Sequence, residues 1–285
     1  MSEIVHPPPN AGIALLATAP VARRHRADYR YQRSLIASFV VMAALWVAIT
    51  GCGLWPAFVS PVFLPSPIKV AQTFMTLWRD GYQGSTLLHH LLVSVWRFGA
   101  AFAICVAVGV PVGLAMGVNK TMQGLLDPPI EISRPVPKLI LLPLLIIWFG
   151  IGEASKVLII VLALFPIMSV GAMQAVKSVS KRKINAAYSL GANHRTVFLR
   201  VLLPASLPGI LTAVRVSIGV GVTMLVGAEM LGTSSGIAWM AMSGADFMRT
   251  DVVLVGVLLM ALMGYLLDLA ARVLESRLVH WVGKQ

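Results

Sequence analysis

Charge is what this chain has least of. Asp, Glu, Lys and Arg make up 12% of its 285 residues, about half the ~25% share of a soluble globular domain. So few ionic groups cannot clothe a water-exposed surface. With 58% hydrophobic residues and a mean hydropathy of +0.83, the remaining class is an integral membrane protein. Acidic residues are the scarcer half, 11 against 23 Lys and Arg, for a net charge of +12. A nucleic-acid surface would interleave its basic residues with aromatics, and no such pattern occurs. The excess reads instead as topology, since basic residues collect in cytoplasmic loops. There are only two cysteines, Cys52 and Cys105, both in apolar stretches, which excludes a disulfide framework and a thiolate metal site. The six histidines are scattered, and no catalytic Ser-His-Asp set or metal constellation is expected. No G-x-x-x-x-G-K-[ST] cradle occurs, so hydrolysis of ATP in the P-loop manner is excluded for this chain alone. "AGIALLATAPVA" is apolar but short and has no positively charged segment before it, so no signal peptide is expected.

What the chain does have is long apolar runs. Spans of about 20 residues are expected near 35–54, 86–118, 122–150, 156–176, 206–231 and 251–276, the third broken by Pro128, Pro129, Pro135, Pro137 and Pro143. Residues 1–33 read as a flexible basic tail and 34–285 as the transmembrane domain. Six spans return both termini to one side. With that side cytoplasmic, it holds the tail arginines (Arg23, Arg24, Arg26, Arg30, Arg33) and Lys120, Arg134 and Lys138. It also holds Lys177, Lys181, Arg182, Lys183, Arg195 and Arg200, and finally Arg272, Arg277 and Lys284. The other side holds Lys69, Arg79, Lys156 and Arg249. The positive-inside rule therefore places both termini and the 177–204 loop in the cytoplasm.

Two stretches outside the spans look amphipathic. "SPIKVAQTFMTLW" offers Ser66 as N-cap and Pro67 at the first helical position, with Ile68, Ala71, Met75 and Trp78 on one face. "GIAWMAMSGADF" (236–247) reads as a second covering helix. Charges inside spans are costly and therefore informative. Arg97 and Arg215 either face a pathway and tune it for an anion, or pair with Glu229 or Asp268, or snorkel to an interface. Asp268 and Arg272, four apart, read as a surface pair. The proline-rich 134–143 stretch, with Arg134, Pro135 and Pro137, is expected to line a path, because irregular backbone at membrane depth survives only inside protein or against a cavity. Its alternative role is a kink that shapes the bundle.

The segment "NAAYSLGANHRTVFLRVLLP" (185–204) is the polar exception. The spacing predicts a helix over Lys181–Leu190, ended by Gly191 in a left-handed C-cap. A second short helix follows from about Arg195 with Phe198, Val201 and Leu202, its continuation limited by Pro204. The result would be a helix-turn-helix elbow, basic at the rim and small-sided at its centre through Ala186, Ala187, Gly191 and Ala192. A lipid-bound basic loop is the plainer alternative.

The spacing of this segment resembles the coupling-loop signature of binding-protein-dependent ABC importer permeases: E-A-A, three residues, G, nine residues, I-x-L-P. Here it runs Asn185-Ala186-Ala187, Gly191, then Val201-Leu202-Leu203-Pro204. Val replaces Ile, and Asn185 replaces a Glu, removing a charge such loops present to the ATPase. "FLPSP", "RPVPKLILLPLLIIWFGIGEASK", "LFPI", "LLPASLPGILTAVRVSIG", "GAEML" and "TDVVLVG" extend the resemblance from about residue 61 to the C-terminus. They resemble the taurine, aliphatic-sulfonate and nitrate branch, and the "RPVP…WFGIGE" and "SLGA" forms lean to the taurine type.

This resemblance implies a type I ABC importer permease fold: all-α, six transmembrane helices, with a cytoplasmic coupling helix. It implies a bacterial inner-membrane transport subunit that is not itself an enzyme, moving taurine, another alkanesulfonate, nitrate or another small anion. It implies as partners a second permease copy, two cytoplasmic ATPase subunits that use ATP and Mg²⁺, an extracytoplasmic substrate-binding protein and membrane lipid, with no nucleic acid. The ATPase-coupling residues would be Asn185, Ala186, Ala187, Tyr188, Leu190, Gly191, Ala192, Leu203 and Pro204. The pathway candidates are Arg97, Arg134, Pro135, Pro137, Arg215 and Glu229. An ATP-independent channel or secondary transporter would call for paired broken helices, and only one proline-broken span is visible. A membrane-anchored scaffold that transports nothing is the third reading.

Overall fold

The computed structural model describes residues 22–51 and 58–279, and among them every regular element is helical. Residues 1–21, Cys52 and the last residues, 280–285, lie outside that description. Two units part between Pro67 and Ile68. The first contains α1, Ala22–Thr50. The helix reaches back well into the segment expected to be tail, because ARRHRADYRYQR contains no Gly or Pro to stop it. Its apolar portion, Arg33–Thr50, is long enough to cross a membrane, and Trp46 Nε1 donates to the Pro65 carbonyl at 3.2 Å.

α2, Pro67–Asp80, starts at the expected proline and belongs to the second unit from Ile68 onward. The face that packs inward is Val70, Thr73 and Leu77, and Ile68, Met75 and Trp78 point outward. The apolar face expected from the sequence is the one that points outward, and this sets the roll of the helix. On the inward face Thr73 Oγ1 donates to Asp251 Oδ2 at 2.7 Å, a bond worth most where water is scarce.

The long helices follow. α3 is Leu87–Val118, capped by Thr86, whose hydroxyl accepts from His89 N at 3.2 Å. α4 is Lys120–Ser133, capped by Asn119. After a break come a 3₁₀ turn, Lys138–Leu141, and α5, Leu142–Phe149. α6 is Glu153–Lys177, α7 Lys181–Ser189, α8 His194–Glu229, α9 Ile237–Asp246 and α10 Thr250–Leu278.

Glycine contacts fix the directions. Along α3, Arg97 meets Glu153, Gly109 faces Phe165 and Met168, Gly113 faces Ser169 and Ala172, and Gly117 faces Val176. Both numbers rise together, so α3 and α6 run parallel. The chain must therefore cross back between them, and the pair α4 and α5, bent by 91°, makes that crossing as a broken span. Gly171 faces Ala213 and Ala175 faces Gly209, so α8 is antiparallel to α6. Arg215 meets Asp268 and Val222 faces Gly264, so α10 is antiparallel to α8. With α1, the described residues hold five helices long and apolar enough to cross, or six spans if the bent pair is counted as one.

The break falls at Arg134–Pro137, beside Leu162, Phe165 and Pro166 on α6. That is the middle of α6, about 15 Å from either end at ~1.5 Å per residue. Arg134 and Lys138, counted with the cytoplasmic charges, thus sit at mid-depth. Pro128 and Pro129 stay within α4.

In a membrane, close packing replaces the hydrophobic drive, so small residues line helix contacts. Gly113 is the tightest case on α3: a Cβ there would lie 2.2 Å from the Ser169 carbonyl oxygen and 2.7 Å from Ala172 Cβ. Backbone cannot yield as a side-chain tip can. Gly113→Leu is expected to force α3 off α6 and abolish recovery of monodisperse protein from detergent-solubilised membranes. Gly99→Leu, which meets nothing within 4 Å, should behave as wild type in the same size-exclusion run.

Candidate functional site

Two ends of the bundle carry the polar chemistry. At one end α3, α6 and α10 finish, and α7 forms the elbow. α7 closes at Leu190, and Gly191 follows at φ 83°. Gly191 N donates to the Tyr188 carbonyl at 2.9 Å and Ala192 N to the Ala187 carbonyl at 3.1 Å, the paired bonds of a Schellman motif. Asn193 then caps α8, its side chain accepting from Thr196 N at 2.8 Å. Tyr188 Oη lies 2.7 Å from His194 Nδ1 across the turn. Two helix ends are thereby locked into one stiff bend. Ile184 is held by the cluster of Val176, Val179, Leu202 and Phe198. Asn185, Ala186 and Gly191 face outward, and Leu190 is 88% exposed.

The second helix of the elbow is not short. His194–Val197 runs through a π turn, Phe198–Leu202, directly into Leu203–Glu229. Pro204 was expected to limit it. The π turn widens the helix just before the proline, with Leu203 N bonded to the Phe198 carbonyl five residues back, and so relieves the clash a proline ring makes with the preceding turn. Leu203 and Pro204 are consequently half-buried inside the span, whereas the other coupling candidates form its projecting tip. Any push on α7 is applied to a rod continuous with a membrane crossing.

At the opposite end lies a buried ionic cluster. The Arg97 side chain is 1% exposed. Its Nε and Nη2 donate to the two oxygens of Glu153 at 2.6 and 2.7 Å. Nη1 donates to Glu229 Oε1 at 3.1 Å and to the Ser235 carbonyl at 2.8 Å, and Nη2 also to Thr233 Oγ1 at 3.1 Å. A guanidinium has five N–H donors, and all five are engaged. Glu229, 0% exposed, also accepts from Ser94 Oγ at 2.7 Å and Ala238 N at 3.0 Å. Lys156 completes the balance of charge, 3.4 Å from Glu153. Gly236 sits at φ 124°, and a Cβ there would meet the Glu229 carboxyl carbon at 2.3 Å, so the loop can pass only as glycine.

The sequence left three roles open for Arg97 and Arg215, pathway, pairing or snorkelling, and the structure pairs both. Arg215 Nε donates to Asp268 Oδ1 at 2.6 Å, and Arg272 binds the other oxygen at 2.7 Å, joining α8 to α10. The cluster of Arg97 with Glu229 has no N–H left for an anion; it clasps the 230–237 loop to α3 and α6. Glu153 went unrecognised because it falls just ahead of the expected fourth span. The signal was present: an acidic residue at the N-terminus of a helix, directly after the Gly150 and Gly152 break. At mid-depth, Arg134 pairs with Glu131 at 2.8 Å, each about half exposed, and Pro135 and Pro137 are exposed beside them. Among the described residues no cluster of His, Cys, Asp and Glu could hold a metal.

Comparison with known proteins adds four findings. Residues 109–280 match the family described as binding-protein-dependent transport system inner membrane component. The taurine transport system permease protein TauC of Escherichia coli K12 is 42% identical over 250 residues, covering 87% of this chain and 90% of that protein. The putative aliphatic sulfonates transport permease protein SsuC of Bacillus subtilis 168 is 33% identical, with 90% of each covered. An inward-facing structure of the MetNI methionine ABC transporter overlays with a TM-score of 0.57 at 17% identity, over 67% of this chain and 95% of that one. At that identity it is similar in fold.

Proposed function

This chain belongs to the family of inner membrane components of binding-protein-dependent transport systems, and we propose from that premise that it is the permease subunit for taurine or another alkanesulfonate. Support for the substrate comes from the relatives named for taurine and aliphatic sulfonates. Support for the mechanism comes from one observation above all: a stiff, exposed elbow fused to a membrane-crossing helix. Such an element suits a chain that lacks a nucleotide cradle and draws its work from a neighbour.

Two copies of the chain form the pathway, and both termini and the elbow face the cytoplasm. Two ATPase subunits there consume ATP with Mg²⁺, and a binding protein delivers the anion from outside. Asn185, Ala186, Ala187, Tyr188, Leu190, Gly191 and Ala192 form the contact, with Leu203 and Pro204 behind them as the joint to the span. When the ATPases close they carry the elbow with them, and α8 tilts as a rigid body. The broken span at Arg134, Pro135 and Pro137 borders the path. Arg97, Glu229 and Arg215 hold helices in place.

The test is reconstitution in liposomes with and without a co-expressed P-loop ATPase. Copurification, with hydrolysis stimulated by a loaded binding protein and taurine uptake dependent on ATP, is the expected result. Flux independent of ATP would sink the reading, and so would copurification without flux. Asn185 offers a finer check. It is exposed at the tip, so Asn185→Glu adds a charge without disturbing the fold, and the ATPase retained on the purified permease should stay equal or rise. Loss of the ATPase would show a partner surface shaped for Asn.

A further inference from the structure

Among the described residues, most cations set deep in the apolar helices are neutralised by a carboxylate. Arg97 has Glu153 and Glu229, Lys156 has Glu153, and Arg215 has Asp268. Lys138 is different. Its ammonium donates to the Ser133 and Val136 carbonyls, backbone groups released by the break, and makes no ion pair. An ammonium has three N–H donors, so one remains. Lys138 also lies beside the middle of α6, where an unneutralised charge costs most.

Its surroundings join one cation to almost wholly apolar walls. Lys138 and Ser133 line a cavity of about 290 Å³ whose other walls include Leu141, Leu162, Phe165 and Pro166. No carboxylate lines it. The open backbone of the break and the half-exposed Arg134–Glu131 pair cannot face hydrocarbon, so this face of the molecule meets protein or water.

We propose that Lys138 is the cation that receives the sulfonate group of the substrate at mid-membrane, with the apolar cavity wall taking the alkyl tail of an alkanesulfonate whose tail is uncharged, such as ethanesulfonate. This rests on the anion-importer reading above. The break does two things at once: it opens a path, and it holds an ammonium there with backbone carbonyls instead of a carboxylate, so the positive charge stays available. A carboxylate partner, as at Arg97, would cancel it.

The competing role for Lys138 is to cap the broken helix and nothing more. Lys138→Gln separates the two, because an amide can still donate to both carbonyls but carries no charge. In liposomes with the ATPase and binding protein, Lys138→Gln should keep stimulated ATP hydrolysis while uptake of labelled taurine and ethanesulfonate falls at least tenfold, the scale of a lost charge-assisted bond. Lys138→Arg should keep most of the uptake. Wild-type uptake by the Gln variant would overturn the assignment and leave the importer reading standing; absence of uptake by the wild type would overturn both. Should the Gln variant not assemble, Lys138→Cys in a background with Cys52 and Cys105 replaced by alanine decides the matter. Uptake restored by an aminoethyl thiosulfonate reagent but not by its neutral methyl analogue supports the charge. Equal restoration by both refutes it.

Discussion

Arg97→Ala is expected to cost this permease more stability than any other single side-chain truncation at the end of the bundle opposite the elbow. The change removes all five donors at once and strands Glu229, which is fully buried. Breaking a buried ion pair from one side costs about 3–5 kcal/mol, because the remaining charge is left uncompensated. Against a total stability of roughly 5–15 kcal/mol for a folded domain, that is enough to release the 230–237 loop and loosen α3 from α6. The double variant Arg97→Ala with Glu229→Gln should recover part of the loss, since the stranded charge is gone while Ser94 and Ala238 can still serve the amide oxygen. Glu153→Gln alone should cost less than Arg97→Ala, because Glu153 is half exposed, the amide oxygen of the variant can still accept from Arg97, and Arg97 keeps Glu229. Thermal unfolding in detergent of wild type, Arg97→Ala, Glu229→Gln and the double variant gives the cycle, with Glu153→Gln measured beside them. Equal midpoints for wild type and Arg97→Ala would mean that the clasp does not hold the resting molecule.

How much of this was legible beforehand differs by the kind of force involved. The spans, the break near Pro135 and Pro137, the start of α2 at Pro67 and the Gly191 stop all follow from hydropathy or from the geometry of Pro and Gly, which act locally. The elbow helix ended within one residue of its expected end for the same reason. What failed was long-range. The choice between pathway and pairing for Arg97 depends on Glu153 and the loop carbonyl of Ser235, and neither can be placed without the parallel packing of α3 on α6. Pro204 misled because a proline signal is local, whereas its accommodation by a π turn depends on the turn before it. Lys138 is counted with the cytoplasmic charges although the expected third span, 122–150, contains it, because charge counting has no place for a cation held inside a broken span. The family resemblance reached the elbow through spacing but could not supply the stiffness of that bend, which comes from the Schellman bonds, the Asn193 cap and the contact of Tyr188 with His194.

Gly191→Val should abolish ATPase copurification while leaving the permease inserted and monodisperse. The reason is conformational. A Cβ at Gly191 would meet nothing within 4 Å of it, so the variant introduces no clash inside the chain. The backbone there has φ 83°, a left-handed conformation that costs a residue bearing a side chain about 1–2 kcal/mol, and a β-branched residue is the poorest fit. Relief comes from rotating the backbone out of that region, which breaks the bonds from Gly191 N and Ala192 N to the Tyr188 and Ala187 carbonyls. α7 then swings relative to α8, and Leu190 leaves the position from which it projects. Asn tolerates the left-handed region better than other residues with side chains, so retained ATPase should rank Gly above Asn above Val, with the Val variant bound at least tenfold more weakly, as ~1.4 kcal/mol implies. Equal retention by all three would show that the docked surface does not depend on the angle of the bend. A ranking in which Asn fell with Val would point instead to the partner's backbone pressing directly on a bare Cα.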